Sequence, residues 1–271
     1  MRIALIQMRS GTEVEANLAD AERLIREAAA RGADFIATPE TTHLVQKDAD
    51  RLFEVLMHPD DDPALPFFSK LAGELGITLL VGSMALRTQG NRAVNRSHLF
   101  GVDGQLIATY DKVHMFDVGL GQGETYSEST HYDAGERAVL ADIPGAKLGL
   151  TICYDVRFAY LYRRLAQAGA QIITVPSAFT RPTGKAHWEV LLRARAIETG
   201  SYILAPAQGG RHDDGRKTWG HSMVVDPWGE VMAELDNDDP GILVAELDMA
   251  KVETARTRIP SLHHDRETSG P

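Results

Sequence analysis

The sequence predicts an α/β fold built as one four-layer α-β-β-α sandwich with an internal pseudo-two-fold repeat, and three observations lead there. Arg31-Gly-Ala-Asp-Phe-Ile-Ala-Thr-Pro39 and Ala168-Gly-Ala-Gln-Ile-Ile-Thr-Val-Pro176 share Gly-Ala, an apolar strand and a closing proline in one register. Val102-Asp-Gly-Gln-Leu and Val225-Asp-Pro-Trp-Gly-Glu-Val each set a Val-Asp turn between apolar strands, and each follows a strand preceded by a helix. The resulting strand–helix–strand–helix–strand–hairpin unit occurs twice. Each copy's sheet would leave one face bare unless it packed on the other, so residues 1–271 read as a single domain rather than two. The expected core spans about 2–250, with an arm over 251–271.

The chain opens directly into a strand at 2–8, because Met1-Arg-Ile-Ala-Leu-Ile-Gln-Met has too short an apolar run for a signal segment and no small-residue cleavage site. A helix at 14–31 and a strand at 34–38 follow, then a polar insertion rich in Asp and Pro at 58–66 and a helix at 64–75. Strands at 77–84, 97–102 and 105–110 complete the first copy. The last two flank Val102-Asp103-Gly104, and Asp-Gly between apolar runs marks a tight hairpin because glycine accepts a positive φ. Residues 119–135 are Gly-rich and irregular. The second copy reads as strand 147–152, helix 157–168, strand 171–175, helix 186–199, strand 201–206 and a hairpin at 221–235, and residues past 250 form the arm with its polar tail.

Composition narrows the function. A chain of 271 residues, 44% hydrophobic and 24% charged, is long enough to bury about three quarters of its extended surface. Cys153 is the one cysteine, so no internal disulfide or Cys-rich zinc module forms, and a cytoplasmic setting is expected. With 28 Lys+Arg against 38 Asp+Glu, the net charge of −10 argues against nucleic acid or an anionic membrane as partner. No run approaches the roughly 20 apolar residues of a membrane helix. An anionic small-molecule substrate must therefore meet a local cluster of cations.

Aligning the two copies puts Glu40 just past one strand, Cys153 just past another and Lys112 at the end of the hairpin strand that runs to Asp111. Ligand sites in α/β sheets gather beyond the carboxyl ends of strands, so the three side chains converge on one rim. Pattern alone favours the plainer alternative, in which Cys153 is a small buried hydrophobe, Glu40 a cap and Lys112 a solvated charge.

Taken together, Thr38-Pro-Glu40, Tyr110-Asp-Lys-Val-His-Met-Phe-Asp117 and Thr151-Ile-Cys-Tyr-Asp-Val-Arg-Phe158 resemble the carbon–nitrogen hydrolases of the nitrilase superfamily, over residues 3 to about 235. The resemblance implies the same α-β-β-α sandwich and a metal-free, cofactor-free amidase. It makes Glu40 the general base, Lys112 the stabilising cation and Cys153 the nucleophile. An amide is a poor electrophile, so the tetrahedral oxyanion needs donors already in place, here Lys112 and the backbone N–H of Tyr154. At a helix start beside an ammonium, Cys153 is expected to have a lowered pKa, opposed by Glu40. Tyr126-Ser-Glu128-Ser is similar to the family segment carrying a second glutamate that positions the substrate amide; Glu124 is the alternative. The resemblance further implies a homodimer or higher homo-oligomer, formed through the helix after the cysteine with residues 250–265 crossing to a neighbour. One departure is Arg157-Phe-Ala-Tyr160-Leu, where family members commonly carry a glutamate at the position of Tyr160; this touches local contacts or an interface, not the triad.

Other groups carry less. Gly119-Leu-Gly-Gln-Gly neither follows a buried parallel strand nor opens a helix, so it is not read as a phosphate loop. His263-His264-Asp265 lacks a third metal ligand. Cys153 lacks the neighbours typical of Cys–His peptidases, and His114 and His221 read as loop and hairpin orienters.

Substrate choice must lie in the surrounding loops. Pro176-Ser-Ala-Phe179-Thr180 running on through Ala-His187-Trp188, with Ala207-Gln-Gly-Gly-Arg211-His212 and Gly220-His-Ser-Met, is most similar to the deaminated glutathione amidase branch of the superfamily. The ω-amidases, acting on 2-oxoglutaramate, are next, and N-carbamoyl amino acid amidohydrolysis is a further alternative; a non-catalytic interaction protein on the same scaffold is the rival of different class. Phe179, Thr180, His187, Trp188 and Arg211 are the candidate substrate-binding residues with Tyr154. Arg181, Lys185, Arg211, His212, Arg216 and Lys217 are the candidate cations for a dicarboxylate.

Overall fold

The computed structural model describes residues 1–121 and 124–270. Its first half runs β1 (Arg2–Gln7), α1 (Val14–Ala30), β2 (Phe35–Ala37), α2 (Ala49–Val55), α3 (Ala64–Leu75), β3 (Thr78–Arg87), β4 (Ala93–Phe100) and β5 (Leu106–Asp111). A short hairpin, β6 (Asp117–Gly121) and β7 (Glu124–Ser127), leads across. The second half runs β8 (Val139–Ile143), β9 (Ala146–Leu150), α4 (Ala159–Gln167), β10 (Ile172–Thr174), α5 (Arg181–Thr199), β11 (Tyr202–Ala205), β12 (Gly209–Arg211), β13 (Lys217–Trp219), β14 (Met223–Val225), β15 (Val231–Glu234), β16 (Gly241–Glu246) and α6 (Ala250–Arg258).

Two six-stranded sheets result, ordered β16-β1-β2-β3-β4-β5 and β15-β14-β11-β10-β9-β8. In each, three parallel strands (β1, β2, β3 or β9, β10, β11) continue into an antiparallel pair (β4, β5 or β14, β15), and one antiparallel strand (β16 or β8) closes the other edge. The repeat read from sequence is thus the symmetry of the fold, extended by an edge strand per sheet. Alternation along β1 shows the layering. Ile3 and Leu5 pack into the core that also holds Leu148, Leu150 and Ile172 of the opposite sheet, while Ala4 and Ile6 pack with Ala21, Leu24 and Ile25 of α1 and with Phe68 and Leu71 of α3. Leu161, Leu165, Trp188, Leu192 and Ala196 of α4 and α5 cover the second sheet.

Several elements differ from expectation for identifiable reasons. β8 and β16 are edge strands that stand outside the repeated unit, and most of their residues are only partly buried. β4 begins at Ala93 rather than 97, because its polar Asn95 and Ser97 are buried by the site and by Gly82. α2 lies in a polar stretch and is started by Asp48, which accepts the Arg51 N–H at 3.1 Å. α5 begins five residues before the expected 186, at Arg181-Pro-Thr-Gly: proline is tolerated in a first turn, and a Cβ at Gly184 would stand 2.2 Å from Trp219 Cγ, so glycine is there for packing. The helix expected from 157 is preceded by a separate 3-10 turn, Cys153–Arg157.

Candidate active site

Glu40, Lys112 and Cys153 meet beyond the ends of β2, β5 and β9, and all three are buried, at 4%, 2% and 7% exposure. Two of the three non-glycine residues with positive φ in the described structure are here, Thr41 at 54° and Cys153 at 48°. Such φ is strained for a β-branched residue and for cysteine, and it turns each chain sharply off its strand so that the side chain faces the crevice. The Cys153 N–H donates to Pro176 O at 2.9 Å, and the Thr41 N–H to Ser83 Oγ at 3.0 Å, which holds both bends. Beneath Glu40 the backbones nearly touch: a Cβ at Gly82 would lie 2.0 Å from Thr38 O.

The Lys112 ammonium bridges two carboxylates, donating to Glu40 Oε1 at 2.9 Å and to Glu128 Oε2 and Oε1 at 2.8 and 3.0 Å. Glu40 Oε2 accepts the Ala178 N–H at 2.9 Å, and Glu128 Oε2 accepts the Phe116 N–H at 2.6 Å. Asn95, which sequence reasoning missed, is 2% exposed and donates through Nδ2 to Glu40 at 2.9 Å and to Glu128 at 3.4 Å, while its backbone carbonyl accepts the Lys112 backbone N–H at 2.9 Å. It lies in a run of four polar residues, Asn95-Arg-Ser-His98, so nothing in the local sequence sets it apart.

Charge follows from these contacts. Burial would push the Glu40 carboxyl up, but Lys112 and hydrogen bonds from Cys153 and Asn95 outweigh it and hold the pKa below the ordinary value. Burial opposes charge on Lys112, yet Glu128 and Glu40 push its pKa well above normal. The Cys153 thiol moves opposite to expectation: burial and the Glu40 charge raise its pKa well above normal, and Lys112 offsets only part. A helix start beneath the sulfur would lower it, but the chain makes only a short 3-10 turn there, Cys153–Arg157, and the thiol is buried. These directions favour a carboxylate on Glu40, an ammonium on Lys112 and a protonated thiol on Cys153, with the thiol hydrogen-bonded to Glu40.

These side chains lie in a cavity of about 1050 Å³ whose lining includes Phe116, Tyr126, Tyr132, Tyr154, Phe179 and Thr180. Of the residues expected to bind substrate, Tyr154, Phe179 and Thr180 are in this lining, and His187, Trp188 and Arg211 lie outside it. Trp188 is buried behind Phe179, with ring centroids 4.9 Å apart, and donates Nε1–H to His221 O. His187 contacts the Arg157 guanidinium, which lies over the Tyr154 and Phe179 rings. Arg211 is exposed on β12. Its neighbours brace the site instead: Gln208 donates to Glu40 O at 3.1 Å, and His212, kept neutral-leaning by burial, bonds Ser10 O and Thr218 Oγ1.

Of the remaining candidates, Glu124 opens β7 and its side chain lies outside the described residues, as do Gln122 and Gly123 of the Gly-rich run. His114 bonds Asp155 and, at 2.5 Å, the Tyr160 hydroxyl, so Tyr160 at the departing position holds the loop after Lys112. Asp155 also accepts from Tyr110 OH and Ile152 N–H, tying the Lys112 strand to the Cys153 turn. His221 bonds Glu234 across its hairpin, and Asp265 is taken up by Arg163 and Gln167.

The chain is 40% identical over 270 residues to a deaminated glutathione amidase of Yersinia enterocolitica, covering 98% of this chain and 93% of that protein. It is similar in structure to the C. elegans NitFhit protein, with TM-score 0.88 and 35% identity, covering 98% of this chain and 65% of that one. It is also similar to a variant amidase from Nesterenkonia sp. AN1 whose active-site cysteine carries an acrylamide adduct, with TM-score 0.80 and 26% identity over 96% of this chain and 98% of that one. The family model described as Carbon-nitrogen hydrolase matches residues 2–257, and the chain belongs to that family, within the nitrilase superfamily.

Proposed function

We propose that the protein is a cysteine-dependent, metal-free amidase that hydrolyses deaminated glutathione to 2-oxoglutarate and Cys-Gly. The observation that carries this reading is the buried Cys153–Glu40–Lys112–Glu128 cluster at the wall of a cavity far larger than an amide. Relatives named deaminated glutathione amidase at about 40% identity support the substrate.

Cys153 attacks the amide carbonyl as its proton moves to Glu40, and the oxyanion is met by Lys112 and the Tyr154 N–H. The C–N bond then breaks, and Glu40 gives its proton to the departing amine. Water enters, loses a proton to Glu40 and attacks the thioester; the C–S bond breaks and the proton returns to sulfur. Glu128 holds Lys112 and orients the amide. The test is kcat/KM for deaminated glutathione, 2-oxoglutaramate and N-carbamoyl amino acids on one preparation, with the first expected highest. A preference for 2-oxoglutaramate would make the protein an ω-amidase, preferred carbamoyl cleavage would overturn both readings, and inactivity on every amide would favour the interaction protein.

The whole chain acts as one domain in the cytosol, in our reading, and pairs with a second copy. Tyr160, Val190, Ile197, Trp228 and Ile259 are large apolar side chains left exposed around α4, α5, the β14–β15 turn and the end of α6. Sedimentation at micromolar concentration is expected to show a dimer or larger; a strict monomer would reject the assembly.

A further inference from the structure

Resting on the function proposed above, the geometry points to Lys47 and Lys217 as a cationic clamp that recognises the carboxylate of the departing amine. The cavity lining carries the anions Glu40 and Glu128 and the cations Lys47, Lys112, Arg181, Arg216 and Lys217. Lys112 is held between the two glutamates, Arg181 is ion-paired with Asp238, and Arg216 binds Asp214 at 2.8 Å. Among the described residues the ammonium groups of Lys47 and Lys217 have no ion pair or hydrogen bond, so theirs is the uncommitted positive charge on this wall. The floor, with two carboxylates against one ammonium, repels an anion, so recognition of a carboxylate falls to the mouth.

The two lysines come from opposite halves of the repeat, Lys47 from the chain between β2 and α2 and Lys217 from the first position of β13. They nevertheless share a side. Lys47 Nζ lies 3.6 Å from where a Cβ on Gly215 would stand, so the ammonium reaches the turn that leads directly into Lys217. Gly215 has φ 85° and no side chain, which leaves that approach open.

The chemistry selects which carboxylate they take. Deaminated glutathione carries one carboxylate on the acyl fragment, retained on the enzyme as the thioester, and one on Cys-Gly, a peptide unit beyond the scissile nitrogen. The amine leaves through the mouth and water replaces it there, so the remote glycine carboxylate faces the exposed lysines. Charge-assisted hydrogen bonds from ammonium to carboxylate are worth about tenfold each, tempered by solvent and salt at an exposed rim.

The experiment compares kcat/KM for deaminated glutathione and its C-terminal carboxamide, which differ only in that carboxylate. Wild type is expected to prefer the acid by about tenfold or more, through KM, with the preference shrinking as salt is added; in Lys47→Gln/Lys217→Gln the preference should vanish. Each single variant should lose part of it. A preference that survives in the double variant, or that is absent in wild type, overturns the clamp while leaving the amidase reading intact. A wild type that cleaves neither compound, yet hydrolyses another amide, overturns the substrate assignment and the clamp with it.

Discussion

Cys153→Ala is expected to abolish amide hydrolysis, by about 10⁴-fold or more, while leaving the fold intact. The side chain is buried but small, and alanine removes only the sulfur from a position whose backbone is held by Pro176. Because Cys153 is the chain's one cysteine, the readout is unambiguous. Incubation with acrylamide should add one equivalent by intact mass to wild type and none to the variant. The raised thiol pKa gives a second signature: the folded thiol keeps its proton into the alkaline range. Its contribution to stability is complete below the pKa of a free cysteine and fades as pH rises through the folded value, so wild type should lose thermal stability at high pH more steeply than Cys153→Ala. Turnover that survives the substitution would remove the sulfur from the reaction.

Glu40→Gln and Lys112→Ala are expected to lower kcat by at least about 10²–10³-fold each, the range for loss of one oxyanion donor, and Glu40→Gln further because the proton acceptor is gone. Their structural consequences differ. Glutamine preserves the shape that receives the Ala178 N–H, whereas removing Lys112 leaves Glu40 and Glu128 facing each other unneutralised in a buried site. Circular dichroism and melting should therefore show a native Glu40→Gln and a less stable Lys112→Ala. The depressed Glu40 pKa fixes the sign of the pH dependence: activity needs the carboxylate, persists below the ordinary glutamate range and falls as pH drops through the lowered value. Asn95→Ala, which deletes one of the hydrogen bonds that favour the carboxylate, should move that acid limb to higher pH. Full activity in either Glu40→Gln or Lys112→Ala would void the assigned role.

The sequence by itself determined the repeat, the order of the strands that carry it and the positions of Glu40, Lys112, Cys153 and Glu128. Strand ends are set by local apolar periodicity and by turn residues such as Asp103-Gly104, and the copies could be compared directly. The family motifs then lay on contiguous residues. What only the tertiary structure decided depends on atoms distant along the chain. Asn95 is a site residue because β4 pairs beside both glutamates, and Arg211 stands outside the cavity because Gln208 and His212 turn inward to brace Glu40 and Ser10. Lys47 reaches the cavity mouth across the repeat. The direction of the Cys153 pKa also belongs here: desolvation and the distance between charges are properties of packing, and a buried thiol beside Glu40 titrates against the trend that a neighbouring lysine and a helix start suggest.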